Sequence, residues 1–185
     1  DLKSCNGTFV RIRGDEILTD GDVFQCGEQF LRFEKVSWLQ EGKAGRDASH
    51  NAASPAFLST PRRAWRYKLT QLVASHEHGQ VYCSVHSNTT IGRDRCDLNF
   101  PTDLFISGTH CAVEQRGTLF FIKDLESRNG TFLKIKGERT LHEGDSLFVG
   151  RQLLRLEVRR AVRTHRPRAS HTKAPARRGS AGRHF

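Results

Sequence analysis

Short runs in which apolar and polar residues alternate recur along the chain, with the two-residue period of a β-strand. They are densest within residues 66–158, where turn sequences such as RGT and SRNG separate them. No apolar stripe with the 3.6-residue period of a helix extends over a useful length. The predicted strands are TQLVAS, QVYCSVH, TTIG, CDLNF, HCAVEQ, GTLFFIKD, GTFLKI and SLFVGRQLLRLEV. Many short strands with frequent turns predict an all-β sandwich or barrel.

Residues 1–34 and 124–157 are two copies of one segment. They align without a gap at a constant offset of 123 residues, and about half of their positions are identical. A repeat of this kind predicts two modules of the same fold. Because half a sandwich leaves its core open to water, residues 1–34 are expected to be unstable alone or to be covered from elsewhere, and to contribute no working site. The predicted division is a truncated module at 1–34, a linker at 35–65, a complete module at 66–158 and a basic disordered tail at 159–185.

The net charge of +10 comes almost entirely from one end of the chain, because residues 158–185 hold nine Lys or Arg and no Asp or Glu. Their high charge and low apolar content predict disorder. The five cysteines are odd in number and form no CxxC pair, which argues against a zinc ribbon and favours reduced thiols in the cytoplasm. The first residues have no signal-peptide pattern, and no apolar run has a membrane-spanning length.

Three loop signatures follow one another in the second module. Gly92 and Arg93 come directly after the strand TTI, and the sequence SGTH from Ser107 to His110 leads into HCAVEQ. The sequence DLESRNGT at residues 124–131 joins FFIK to TFLKI. Each signature is common by itself. Their fixed order on a β background makes the combination specific.

This order closely resembles the forkhead-associated (FHA) family, whose pattern is GR, then SxxH, then SxNGT. The resemblance covers residues 66–158 and, in part, 1–34. It implies an FHA-type β-sandwich of two twisted, antiparallel-rich sheets, here preceded by a partial second copy. It also implies a non-enzymatic module that docks onto phosphothreonine-containing segments, so that the partner is a phosphoprotein made by a Ser/Thr kinase.

The resemblance assigns the phosphopeptide contacts to Arg93, Ser107, Arg128 and Asn129. A phosphothreonine carries about −1.5 to −2 charges and three strong acceptor oxygens. Arg93 offers a planar fork of donors that suits phosphate, Ser107 adds a hydroxyl, and Arg128 adds a second positive charge. The side chain of Asn129 presents a donor and an acceptor, as a peptide group does, and can hold the backbone of the ligand.

Structural support of the site is assigned to Gly92, His110, Gly130 and Thr131. Gly130 allows the tight turn that directs Asn129 outward. By the family's pattern, His110 packs beneath the loops and orients them. The sequence departs from the family at Gly108, where many members have Arg or Asn, so a contact to the peptide is expected to be missing.

Other chemistry is not indicated. His76, His78, Cys83 and His86 could suggest a metal site, but the strand QVYCSVH places Cys83 and His86 on opposite faces. No metal and no cofactor are therefore predicted. Nucleophile elbows, phosphate-binding Walker loops and HExxH motifs are absent from the sequence, so no enzyme activity is predicted.

Two rival functions remain open at this stage. The module could be a scaffold that binds proteins without phosphate, or the tail at residues 159–185 could contact nucleic acid by neutralising phosphates. The tail has no interleaved aromatic residues for base stacking. A further hypothesis is that Thr164, Thr172 or Ser180, which follow basic residues, become phosphorylated and dock into the same site.

Overall fold

The computed structural model describes residues 7–36, 65–73 and 78–159. Within these ranges all of the regular secondary structure consists of β-strands. The predicted all-β fold is confirmed. The first copy forms β1 (Thr8–Arg11), β2 (Glu16–Leu18), β3 (Val23–Cys26) and β4 (Gln29–Lys35). The following segment forms β5 (Tyr67–Leu72), β6 (His78–Ser84), β7 (Asn88–Gly92), β8 (Leu98–Asn99), β9 (Cys111–Arg116) and β10 (Leu119–Asp124). The second copy forms β11 (Thr131–Lys134), β12 (Ser146–Val149) and β13 (Gln152–Arg155).

These strands make two sheets. The larger sheet has the order β13-β12-β1-β11-β3-β4-β5-β6, and the smaller has the order β2-β10-β9-β7-β8. The short β7–β8 pair at the edge of the smaller sheet is parallel, and the neighbouring β7–β9 pair and the pairs along the large sheet are antiparallel. Apolar side chains of both sheets share one core, so the sheets pack face to face as a sandwich.

The first copy does not stand apart from the rest of the chain. β3 pairs with β11 of the second copy, β4 pairs with β5, and β1 lies between β11 and β12. We predicted that residues 66–158 close their own sandwich. The structure differs, since the hairpin that closes the core comes from residues 23–35. The boundaries of the four predicted segments stay a prediction, but the strands of the two copies are interleaved in one sheet.

Aromatic side chains give a physical reason for this choice of hairpin. Phe24 and Phe33 are fully buried, and the second copy has leucines at both matching positions. The ring centroid of Phe33 lies 5.5 Å from that of Tyr67 and 5.1 Å from that of Phe120. Larger rings bury more apolar surface and make favourable ring contacts, so the hairpin of the first copy fills the core better.

The core is shared between the first copy and the segment that follows it. Its buried members are Ile12, Leu18, Phe24, Cys26, Leu31, Phe33, Tyr67, Leu69, Ile91, Leu98, Phe100, Ile106, Cys111, Val113, Phe120, Ile122 and Leu133. Two of them, Cys26 and Cys111, are free thiols. The body of the sandwich therefore depends on strands that the first copy contributes to both sheets.

The turn of the closing hairpin fits against a loop of the opposite sheet. Gly27 in this turn has a φ of 60°, which favours glycine. A methyl group there would lie 2.7 Å from Oδ2 of Asp103 and 2.8 Å from the backbone nitrogen of Ile106. Close approach to the loop that precedes β9 thus requires a residue without a side chain.

Several predictions concern residues outside the described ranges. They include most of the predicted linker, the tail beyond residue 159, and Thr164, Thr172 and Ser180. The part of the chain that the structure covers contains no helix that is long and apolar enough to cross a bilayer.

Candidate functional site

The three loops with the predicted site residues meet around Ser107. The backbone N–H of Arg93 donates to the carbonyl oxygen of Ser107 at 2.9 Å. The backbone N–H of Arg128 donates to the hydroxyl oxygen of Ser107 at 3.1 Å. The hydroxyl hydrogen of Ser107 is left to donate elsewhere, because an alcohol has one donor and two acceptor positions. The structure thus brings together residues that are 35 positions apart in sequence, from Arg93 to Arg128.

His110 ties two of these loops together from below. Its side chain is fully buried, Nδ1 accepts the N–H of Ser107 at 3.1 Å, and Nε2 lies 3.1 Å from the carbonyl oxygen of Gly130. Since a carbonyl accepts, Nε2 carries the hydrogen and the imidazole is neutral. Burial lowers the pKa of His110 below its ordinary value, although the bond to Gly130 opposes this change. Protonation would place a second hydrogen on Nδ1 and break the bond from Ser107.

Asn129 is exposed on the rim and is held by a loop on the other side of Ser107. Its Nδ2 donates to the carbonyl oxygen of Phe105 at 2.7 Å. One N–H and the Oδ1 acceptor of Asn129 are not used in that bond. These two groups are complementary to the C=O and N–H groups of an extended peptide.

A carboxylate inside the third loop sets the shape of the turn. Oδ1 of Asp124 accepts from the hydroxyls of Ser127 and Thr131, both at 2.6 Å. The Ser127 hydroxyl also accepts the N–H of Gly130 at 3.0 Å, and Gly130 has a φ of 85°. Thr131 and Gly130 were predicted as supports, whereas Asp124 and Ser127 were quoted in the motif without a role.

Sequence reasoning missed Asp103, which anchors the loop before β9. This carboxylate is 2% exposed and accepts four bonds. Oδ1 accepts the N–H groups of Phe105 and Ile106, and Oδ2 accepts the N–H of Glu28 and Nε2 of Gln29. Asp103 therefore links the site to the hairpin of the first copy. An acidic residue in a loop after proline carries no signal of burial, so the sequence did not reveal it.

Gly92 lies where two loops approach each other. A methyl group at Gly92 would collide with the carbonyl oxygen of Gly108 and would lie 2.8 Å from Sγ of Cys96. Gly92 is thus needed for the contact between the first and second loops. Gly108, where the sequence departs from the FHA pattern, is half-buried at this contact and offers no side chain to a ligand.

Two large apolar side chains are exposed next to the site. Leu104 is 81% exposed and Phe105 is 56% exposed. Both belong to the loop that carries Ser107, and the carbonyl of Phe105 binds Asn129. Exposed apolar side chains at the edge of a polar site provide surface for an apolar ligand group.

The arginines of the site are not neutralised by acids. Arg93 and Arg128 are exposed, and neither forms an ion pair within the described ranges. Arg116, by contrast, binds Asp15 and Glu114, each at 2.6 Å. An exposed guanidinium without an acidic partner keeps its donors for a ligand such as phosphate.

The corresponding loop of the first copy cannot be compared, because Ser4, Cys5 and Asn6 lie outside the described residues. The strand that follows it does reach the site of the second copy. The Arg11 side chain packs against Gly130, so that a methyl group at Gly130 would collide with it. The pairing of β1 with β11 therefore places the Arg11 side chain, a cation, beside the turn that presents Asn129.

The part of the chain that the structure covers contains no group of three or more His, Cys, Asp or Glu residues arranged to hold a metal ion. His76 lies outside the described residues, as does the side chain of His78. Cys83 is half-buried and His86 is exposed. That this hairpin holds no metal therefore stays a prediction from the sequence.

Comparison with known proteins agrees with the resemblance seen in the motifs. Residues 89–150 match the family model of the FHA domain. This range contains every predicted contact residue and the three loops that carry them. No solved structure gives a significant match.

Two similar proteins have the same region. A probable serine/threonine-protein kinase, fhkA of Dictyostelium discoideum, is 33% identical over 105 residues, which covers 49% of this chain and 17% of that protein. The E3 ubiquitin-protein ligase CHFR of Danio rerio is 32% identical over 94 residues, which covers 46% of this chain and 14% of that protein. The chain thus spans less than a fifth of the length of either relative.

Proposed function

Since the chain carries an FHA domain, a type of module that binds phosphothreonine, we propose that it docks phosphorylated partner proteins through Arg93, Ser107, Arg128 and Asn129. The observation that carries the proposal is that the backbones of Arg93 and Arg128 both bond to Ser107, and that both arginines are exposed without an acidic partner among the described residues. Phosphate needs both charge and several donors, and this rim offers both.

Each side chain has a separate task in this proposal. Arg93 binds phosphate oxygens with its fork of N–H groups, and the Ser107 hydroxyl donates to another oxygen. Arg128 adds a second positive charge. Asn129 uses its remaining amide groups to hold the peptide backbone, as a strand of a sheet would. His110 keeps the loops in place and does not touch the ligand.

Partner choice is proposed to depend on the apolar rim. Leu104 and Phe105 offer a contact for an apolar side chain near the phosphothreonine, and Gly108 offers none. We expect a preference for peptides with an apolar flanking residue. The phosphorylated partner is proposed to be the product of a Ser/Thr kinase, and the module to have no enzymatic activity of its own.

The free thiols support a reducing compartment, and we propose the cytoplasm. Cys26, Cys83, Cys96 and Cys111 form no disulfide within the described residues. Reducing compartments keep such thiols unpaired. Contact of the tail with nucleic acid stays a prediction from sequence.

The test is calorimetric titration of the full chain with a phosphothreonine peptide and with its unphosphorylated form. We expect binding to the phosphorylated peptide alone. The substitution Arg93→Ala should weaken binding by about 1.5–3 kcal/mol, or roughly ten- to hundredfold, because it removes a charge-assisted bond. The matched control is Arg151→Ala, which removes an exposed arginine from the β12–β13 turn and should leave the affinity unchanged.

Equal binding of both peptides would contradict the proposal and favour the scaffold function. Equal losses from Arg93→Ala and Arg151→Ala would show that net charge, and not the site, attracts the peptide.

A further inference from the structure

The two copies are arranged around a local twofold relation between β1 and β11. Val10 of the first copy pairs with Leu133, which is its own counterpart 123 positions later. On either side the registers repeat, because the β1–β12 pairing has the same offsets as the β11–β3 pairing. The β12–β13 and β3–β4 hairpins are also in equivalent register. The six strands from β13 to β4 are therefore one motif used twice.

Side-chain and turn contacts obey the same relation. The N–H of Ile12 donates to the carbonyl of Thr131 at 3.0 Å, and the equivalent N–H of Ile135 donates to the carbonyl of Thr8 at 2.8 Å. Arg13 forms an ion pair with Asp145 at 2.6 Å, and the equivalent Lys136 forms one with Asp22 at 2.7 Å. Arg139 and Glu16 are counterparts of each other, and they form an ion pair across the local twofold axis. The equivalence thus extends from the backbone to the charged residues.

Only one of the two equivalent halves is covered. Leu31 and Cys26 of the first copy are fully buried under the smaller sheet. Their counterparts Leu154 and Val149 are 50% and 41% exposed. The row Leu31, Phe24, Leu133, Val10, Leu147 and Leu154 runs across paired positions of six strands, so these side chains lie on one face. The apolar face is continuous, and it is open at β12 and β13, where Leu147 is half-exposed and Leu154 is 50% exposed, whereas Val10 of β1 is only 2% exposed.

Two strands of the covered half pair with a neighbouring strand, whereas their counterparts in the open half have no such partner among the described residues. β4 pairs with β5, whereas its counterpart β13 is an edge of the large sheet. β2 pairs with β10, whereas the matching residues 139–141 are not in a strand. An edge strand with exposed apolar neighbours is a template for pairing with another chain.

We propose that this open face, formed by β12 and β13, binds the amino-terminal half of an FHA sandwich supplied by another polypeptide. The occupant is a set of six strands equivalent to β5–β10. The covered half specifies it, because the same motif in the same register already holds such a set. The pairing is defined in detail: the occupant's residue at the position of Gln71 lies opposite Leu154, as Gln71 lies opposite Leu31.

The chain's own β5–β10 segment is not available for this role, since β3 and β4 cover it. Two open faces from two copies of the chain would bring leucines together but would give residues 139–141 no strand equivalent to β10. The six-strand half satisfies the apolar face, the β13 edge and residues 139–141 together.

The test uses photocross-linking after co-refolding of the full chain with an isotopically heavy polypeptide of residues 65–124. A benzophenone amino acid replaces Leu154 in one sample and Leu31 in another. We expect position 154 to capture heavy peptides and position 31 to capture light peptides from residues 67–124 of its own chain.

A matched pair of added polypeptides gives the control. Phe120→Asp in the heavy polypeptide changes a buried core position and should lower capture at position 154 at least tenfold. Val81→Asp changes a position that is 52% exposed and should leave capture unchanged.

Three outcomes would overturn the proposal. Capture of light peptides from residues 67–124 by position 154 would mean that the two hairpins have exchanged places within the chain. Capture of heavy peptides by position 31 would mean that the occupant has taken β3 and β4 instead. Capture at position 154 that does not depend on Phe120 would mean that no sandwich forms.

Discussion

The covered and open halves of the large sheet have the same apolar pattern and the same register but different surroundings. In the covered half, Phe33 packs against Tyr67 and Phe120. In the open half its counterpart Leu156 remains half-exposed. The comparison separates two properties that sequence patterns usually combine. Alternation determines that a segment is a strand and which face is apolar, whereas side-chain size determines which of two similar segments enters a core.

The largest expected effect tests whether a buried side chain of the covered half contributes more to the free energy of unfolding than its half-exposed counterpart in the open half. Phe33→Ala should lower the free energy of unfolding by about 3–5 kcal/mol, because it removes a buried ring and leaves a cavity. Leu156→Ala should cost less than about 1 kcal/mol, because its side chain is half-exposed. Urea denaturation of both variants measures the difference. Equal losses would mean that the open half is covered in solution.

Moving the two phenylalanine rings from the first hairpin to the second should reverse which hairpin enters the core. The variant with Phe24→Leu, Phe33→Leu, Leu147→Phe and Leu156→Phe moves both aromatic side chains to the second hairpin. With a difference on the order of 1 kcal/mol for each ring, the preference should shift by about 2–4 kcal/mol. We expect β12 and β13 to enter the core. Amide hydrogen exchange should then slow at residues 147–156 and quicken at 24–33, and unchanged exchange would show that ring size does not decide the choice.

Acid should weaken the covered half before the open half. The pKa of His110 in the folded protein lies below its ordinary value of 6.5, so the unfolded chain takes up the proton first. The contribution to stability is complete above that value and is lost as pH falls, by up to about 1.4 kcal/mol for each pH unit. Urea denaturation between pH 7 and 5 measures this loss.

His110→Gln should remove most of that pH dependence, and His86→Gln, at an exposed position, should not. An equal slope in both variants would assign the effect to other groups. Amide exchange in β13 should not change over the same range, since His110 has no contact with the open half among the described residues.

The smallest expected effect compares two glutamines at matching positions. Nε2 of Gln29 donates to Asp103 at 2.8 Å, and its Oε1 accepts from Gln71 at 2.7 Å. Gln29→Ala should cost about 0.5–1.5 kcal/mol and weaken peptide binding slightly, because the Asp103 loop carries Ser107. Gln152→Ala, at the exposed counterpart, should change neither thermal stability nor affinity. A loss of affinity without a loss of stability in Gln29→Ala would mean that Gln29 contacts the peptide itself.

Much of the fold and the site follows from sequence because both depend on local patterns. Alternation predicted the strands, and the order of the loops predicted that Arg93, Ser107 and Asn129 belong together. These loops lie at the ends of neighbouring strands, so the fold itself brings them close.

The exchange of hairpins could not be predicted in the same way. Residues 23–35 and 146–158 place apolar side chains at the same core-facing positions (24, 26, 31 and 33, matching 147, 149, 154 and 156), so both fit the slot by pattern. At these positions only Phe24, Cys26 and Phe33 differ from their counterparts. Asp103 was missed for a related reason: two of its four hydrogen bonds come from Glu28 and Gln29, which are near in space only after the first copy has entered the sheet.

The buried thiols provide a way to measure how often the closed sandwich opens. Burial, together with the neighbouring Cys26, raises the pKa of Cys111 well above its ordinary value, so the thiolate that reacts with alkylating reagents is scarce in the closed sandwich. A reagent can therefore reach both sulfurs only when the first hairpin leaves the core, and the rate of their modification measures how often the closed sandwich opens.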